Sequence, residues 1–88
     1  MDGYVLSLEN GKYYVGITDD YNNRINNHMQ GGGSSWTKLH KPIEVVERFV
    51  GGKDNEREKT LEYMRKYGWE NIRGGGWTAV NIRKPLLL

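Results

Sequence analysis

Apolar positions gather first in two short runs, Tyr4-Val5-Leu6-Ser7-Leu8 and Tyr13-Tyr14-Val15-Gly16-Ile17, both rich in strand formers. Between them, Glu9-Asn10-Gly11-Lys12 carries an Asn-Gly pair, which supplies the positive φ angles of a tight hairpin turn. Tyr13-Tyr14 places one ring on each face of the resulting sheet, so at least one hydroxyl has to find a partner or water. The spacing then changes. Tyr21, Ile25 and Met29 recur every four residues and predict a helix with a core stripe, started by Thr18-Asp19-Asp20 and ended by Gly31-Gly32-Gly33. Arg24 and His28 form a neighbouring stripe on one flank of that helix. Pro42 opens a third strand, Ile43 to Val50, with Glu44 and Glu47-Arg48 among Val45, Val46, Phe49 and Val50. A second helix begins near Asp54 or Asn55, where Asn55 and Glu58 fit a capping box. Its core side is Thr60, Leu61, Tyr63, Met64 and Tyr67, and Gly68 stops it. Trp69 to Leu88 reads mostly as loop, with Trp77 to Ile82 a candidate short strand. The order β-β-α-β-α predicts an α+β domain, a small three-stranded antiparallel sheet with helices packed on it.

Composition narrows the classes. Eighty-eight residues, 36% hydrophobic and 27% charged, fit one small globular domain spanning residues 1–88 with a thin core. The absence of cysteine removes disulfides, thiol catalysis and every cysteine-based zinc or iron–sulfur site. His28 and His40 could not build a zinc site without carboxylate help. No apolar run approaches the length of a membrane span, and Met1-Asp2-Gly3 does not open a secretion signal, so a cytoplasmic setting without membrane contact is expected. The net charge of +2 says little, yet Tyr21 to Pro42 holds Arg24, Lys38, Lys41, His28 and His40 and no acid. That stretch either faces phosphates or is a solvated loop that lacks acids.

Several side chains carry two readings each. Glu56 heads the stripe Thr60, Tyr63 and Tyr67, at the edge of the core. It is either a first-turn acid favouring the helix dipole or a lone carboxylate ligand for Mg²⁺, which often takes one or two carboxylates, substrate phosphate and waters. Arg24 is a solvated arginine or a phosphate fork, and His28 one turn on can move protons near neutral pH. Tyr4 and Tyr14 are cross-strand packing or pocket groups. Trp36, Trp69 and Trp77 are core side chains or platforms for bases in a frayed duplex.

Taken in order, Gly3-Tyr4-Val5, Tyr14-Val15-Gly16 after the hairpin, Thr18, Arg24, His28, Trp36-Thr37-Lys38, Lys41-Pro42-Ile43 and Glu56 resemble a GIY-YIG nuclease domain over nearly the whole chain. The block Tyr63-Met64 through Tyr67-Gly68 and Asn71-Ile72-Arg73-Gly74-Gly75 resembles stand-alone phage and large-DNA-virus members. Two positions depart from the pattern: the first tripeptide is Gly-Tyr-Val, with its tyrosine one place early, and Ile17 stands where some members have a lysine that helps the base. Lys38 or His28 would then supply that help.

The resemblance implies metal-dependent hydrolysis of DNA phosphodiester bonds. Glu56 would hold one Mg²⁺ or Mn²⁺, Arg24 would neutralise charge on the phosphoryl oxygens, and Tyr4 would orient or activate water, with Tyr14 and His28 completing the pocket. Gly16 would let backbone approach the phosphate, while Lys38, Lys41 and Arg73 would contact the DNA backbone and Trp36 its bases. No small-molecule cofactor is implied. A monomer or weak homodimer would nick duplex DNA one strand at a time, with weak sequence preference and strong salt dependence. The rival reading is a non-catalytic nucleic-acid binding module, in which Glu56 and the tyrosines are structural. A third is an interaction protein using Leu86-Leu87-Leu88.

Overall fold

The computed structural model describes residues 1–88. Strands β1 (Asp2–Leu8) and β2 (Lys12–Thr18) pair antiparallel along their length, from Asp2 opposite Thr18 to Leu8 opposite Lys12. At the turn, Asn10 (φ 66°) and Gly11 (φ 70°) both adopt left-handed backbone, the conformation a tight hairpin needs and these two residues tolerate. Strand β3 (Pro42–Val50) runs antiparallel to the other edge of β1, with register breaks between Val5 and Leu6 and between Ser7 and Leu8.

The sheet is mixed and four-stranded, which corrects the three-stranded antiparallel expectation. Strand β4 (Ile72–Gly74) lies parallel to β2, so the order is β3-β1-β2-β4. Three residues, one of them glycine, are too few to display a two-residue period. From the expected strand Trp77–Ile82, only Trp77 forms a bridge, to Gly74.

Helix α1 (Tyr21–Met29) and helix α3 (Lys53–Tyr67) match the two helices expected, and α2 (Ser35–Leu39) is additional. Helix α2 is one turn and a half, set up by Ser34, whose hydroxyl accepts the Thr37 N–H at 3.3 Å. Local details differ at the other starts. Thr18 Oγ1 accepts the Asp20 N–H (3.0 Å), and Asp20 accepts from Asn23 and caps no backbone amide of α1. The Asn55 side-chain amide donates to the Val50 carbonyl (2.9 Å), so the Asn55–Glu58 capping box does not form and α3 starts behind Gly52.

Helices cover both faces of the sheet. On one face, Val5, Val15 and Ile72 pack with Leu61, Tyr63 and Met64 of α3. On the other, Tyr4, Leu6 and Leu8 pack with Trp36 of α2, joined by the half-buried Tyr14, Tyr21, Ile25 and Val45. Of the stripe expected on α1, Tyr21 and Ile25 pack inward, but Met29 is 42% exposed and His28, 1% exposed, takes the inward place at that end. No helix is long and apolar enough to cross a membrane.

Candidate active site

Adjacent strands bring Tyr4 and Gly16 face to face. A Cβ on Gly16 would overlap the Tyr4 hydroxyl. The glycine expected to admit a phosphate therefore admits the tyrosine ring, and that role is corrected on steric grounds. Tyr4 is buried, and its Oη lies 2.9 Å from His28 Nε2 in a buried hydrogen bond between residues 24 apart in sequence. Tyr14 joins them, its ring centroid 6.4 Å from that of Tyr4 and 5.4 Å from that of His28. Tyr21 meets Tyr4 edge-on at 6.5 Å, and the Arg48 guanidinium caps Tyr21 at 3.7 Å from its ring centroid.

Burial and charge set the protonation states. Burial is the largest cause raising the Tyr4 hydroxyl well above its ordinary pKa near 10; Tyr14 and Glu56 add to it and Arg24 opposes. For Tyr14, burial again leads and Glu56 reinforces it, while Arg24 and a hydrogen bond from Ser34 favour the ionised form. The His28 imidazole is pulled down to about 4, first by burial and then by Arg24. At neutral pH, then, Tyr4 holds its proton and His28 is uncharged. Arg24 and Glu56 thus both act on the two tyrosine hydroxyls, although they lie on different helices.

Glu56 is half-buried, and burial raises its carboxyl above the usual carboxylate range, with Lys53 opposing. It borders a cavity of about 320 Å³ lined by Lys53, Asp54, Arg57, Gly75 and Gly76 as well. No group of three or more histidines, aspartates and glutamates is placed to hold a metal. A partly desolvated lone carboxylate beside an open cavity fits a hard cation that takes most of its oxygens from substrate phosphate and water, so Glu56 is the residue that could hold a divalent metal here. Arg24 is exposed at the mouth of a second cavity, with Thr18, Asp20, Asn23 and Asn27.

Two expected DNA contacts are corrected. Arg73 is 4% exposed, and its guanidinium donates to the carbonyls of Ala79 (2.8 Å), Val80 (2.8 Å), Trp69 (3.1 Å) and Ile72 (2.7 Å) while stacking on Trp36 at 4.3 Å. Each of its three nitrogens already donates to a backbone carbonyl, so the guanidinium is committed to the fold. Trp36, also 4% exposed, gives its indole N–H to the Tyr13 carbonyl at 3.0 Å and has no free face for a base. Lys38 and Lys41 are exposed, as a backbone contact requires. Sequence reasoning gave Ser34 no role and named Thr37 only as part of the Trp36-Thr37-Lys38 segment. The only signal available was a Ser and a Thr three apart after a glycine run, a pattern that helix caps produce widely.

The family model described as "GIY-YIG catalytic domain" matches residues 4–68. A UPF0213 protein of Xanthomonas campestris pv. campestris (strain 8004) is 30% identical over 77 residues, covering 81% of this chain and 76% of that protein. Another from Xanthomonas axonopodis pv. citri is 31% identical over 72 residues, 75% of this chain and 71% of that protein. UPF0213 protein YazA of Bacillus subtilis is 33% identical over 43 residues, 49% of this chain and 43% of its own. These relatives are bacterial, in contrast to the phage and viral likeness of the closing block. No solved structure matches the chain.

Proposed function

Because the chain belongs to the GIY-YIG family of catalytic domains, we propose that it is a nuclease that hydrolyses DNA phosphodiester bonds, nicking one strand at a time with one divalent cation. The observation that carries this reading is the buried Tyr4–His28 hydrogen bond within electrostatic reach of both Arg24 and Glu56.

The scissile phosphate sits against Arg24, whose fixed cation offsets the charge that grows on the phosphoryl oxygens. Water positioned at Tyr4 gives a proton to the Tyr4 oxygen as that oxygen passes its own proton to His28 Nε2. The uncharged imidazole accepts it, and the water oxygen attacks phosphorus while the bond to the leaving oxygen breaks. His28 is thus the terminal base, and Lys38, on a different helix and exposed, is not needed for the transfer. Pairing of Arg24 with a phosphate also cancels one of the two influences that keep His28 a weak base. Tyr14, whose ring lies against Tyr4 and His28, closes the pocket beside them. A cation held by Glu56 would supply charge neutralisation at the phosphate and the departing oxygen.

The test is relaxation of supercoiled plasmid at low salt with Mg²⁺ or Mn²⁺. Wild type should convert it to open circles, and EDTA, Arg24→Ala and Glu56→Ala should each abolish conversion. Glu56→Ala should bind DNA as well as wild type or better, since it removes a negative charge near phosphates. If wild type retards the plasmid on a gel but never opens it, the binding-module reading replaces this one.

A further inference from the structure

The reaction pocket accounts for one edge of the His28 ring. His28 also lines a cavity of about 500 Å³ between the end of α1, helix α2 and the start of β3. Its lining is largely polar, with Glu9, His28, Gln30, Thr37, Lys38 and Lys41 the groups that bear on chemistry. Lys38 and Lys41 are exposed, and neither is ion-paired: the salt bridges of the chain join Arg48 to Asp2 and Lys59 to Glu47 and Glu62. Two free cations therefore face the cavity against one carboxylate, Glu9. The carbonyls that end α1 are already taken, Asn26 by Gln30, Asn27 by Gly32 and His28 by Gly31.

One buried polar atom is left over. His28 Nδ1 has no hydrogen-bond partner. It and Thr37 Oγ1 flank Gly33, where a Cβ would collide with both. Thr37 gives its hydroxyl hydrogen to the Ser34 carbonyl (3.1 Å) and its oxygen lies 3.3 Å from the Ser34 hydroxyl, which leaves one further lone pair as an acceptor. An imidazole that accepts from Tyr4 through Nε2 must carry its own hydrogen on Nδ1, and a buried donor without a partner costs about 1–3 kcal/mol.

We propose that this cavity is a second phosphate-binding site, separate from the scissile position, in which Lys38 and Lys41 hold a phosphate group on the Nδ1 side of His28. The ligand is a phosphate mono- or diester oxyanion, and the reading that the chain is a DNA nuclease makes DNA its source. Held there, the negative charge favours the imidazolium that forms when His28 takes the proton from Tyr4. DNA bound in correct register would thereby strengthen the base that cuts it. Two positions on the polymer offer the same chemistry, an internal diester of the strand and a terminal 5′-phosphate.

The experiment uses the full chain without metal, so that binding is read apart from cutting, and compares wild type with a Lys38→Gln/Lys41→Gln double variant. Titrating inorganic phosphate should shift the His28 ring-nitrogen and Thr37 resonances of wild type and leave those of the double variant still. A duplex with no terminal phosphates should bind the double variant about tenfold more weakly at 0.1 M salt, with a slope of log affinity against log salt shallower by about two. That result assigns the site to an internal diester. If only a 5′-phosphorylated duplex shows the loss, the site takes a strand end. Equal affinity and equal slope for both duplexes, or identical phosphate shifts in both proteins, would overturn the site. A wild type that shows these shifts but opens no plasmid would overturn the nuclease reading and leave the phosphate site standing. A wild type that cuts while the double variant binds unchanged would do the reverse.

Discussion

Tyr13 and Tyr14 are neighbours in the chain, yet they belong to opposite faces of the sheet with opposite chemistry. Tyr13 stacks on Tyr67 at 4.7 Å and tilts against Tyr63 at 5.5 Å, over a core of Val5, Val15, Leu61, Met64 and Ile72. Tyr14 meets Tyr4 and His28, on a face whose buried residues include Thr37 and Arg73. The first face is a small apolar core of the kind that makes a domain fold, where each fully buried aliphatic side chain contributes about 1.5–3 kcal/mol relative to exposure. The second buries ionisable groups, which is unfavourable unless each is hydrogen-bonded, and one nitrogen there is left without a partner. Most of the apolar burial thus lies on one face and the Tyr4–His28 contact on the other, while Glu56 acts on both tyrosines from the first turn of α3, the helix that covers the apolar face.

Two buried tyrosines allow that division to be broken cleanly, because each donates or shares one hydrogen bond at 2.9 Å. Tyr4 pairs with His28 Nε2, and Tyr63 donates to Glu47 Oε1. Tyr4→Phe and Tyr63→Phe remove the same atom from opposite faces, and each should cost about 1 kcal/mol of stability. Tyr4→Phe should in addition lower the nicking rate by about 10²–10⁴-fold, the range for losing a positioned proton-transfer group. Tyr63→Phe should leave the rate within about twofold of wild type. Single-turnover cleavage beside thermal melts measures both, and equal cleavage by the two variants would sink the assignment of the reaction to the Tyr4 face.

Arg73 tests whether a buried cation on the same face serves the ligand or the fold. Its guanidinium ties the loop carbonyls of Ala79 and Val80 to β4. Arg73→Met should leave those carbonyls and those of Trp69 and Ile72 unpaired, and destabilise the protein by about 3 kcal/mol or more. For a domain of this size that lowers the melting temperature by roughly 10–20 °C. Below its melting point, the variant should bind duplex DNA with an unchanged salt slope. A slope shallower by about one, with little change in melting, would return Arg73 to the phosphate contacts expected from sequence.

Periodicity carried the sequence reading where elements were long or had strong punctuation. The Asn10-Gly11 turn, β3 and α3 lie within a residue or two of where pattern and turn chemistry put them. It did not carry β4, which has three residues, or α2, which has five. Nor could spacing foresee that α1 turns His28 inward in place of Met29, since that orientation depends on a hydrogen bond to Tyr4, 24 residues earlier. Tyr4, Tyr14, Arg24, His28 and Glu56 could be named together because the motif pattern gives residue types in order, and the fold brings Tyr4, Tyr14 and His28 into contact. Arg73 and Trp36 were misread because burial was invisible: a cation in Asn71-Ile72-Arg73-Gly74-Gly75 reads as a phosphate loop until the carbonyls that occupy it are seen.

His28 offers the smallest and most selective probe of the polar face. Folded, its imidazole is pulled down to about 4, chiefly by burial and then by Arg24; unfolded, it returns to about 6.5. Between those values the unfolded chain binds more protons than the folded one, so stability rises with pH across the window. The contribution is fully present above about 6.5 and is lost as pH falls through 4. His28→Gln keeps an acceptor for the Tyr4 hydroxyl but cannot titrate. Carboxylates such as Glu47 and Glu56, and His40, titrate in both proteins and cancel in the difference. Denaturant unfolding at pH 7 and pH 4.5 should show wild type losing about 1–3 kcal/mol more than His28→Gln. Parallel losses would mean that burial and Arg24 do not hold the imidazole below its ordinary pKa, and would remove the uncharged state at low pH from the account of His28.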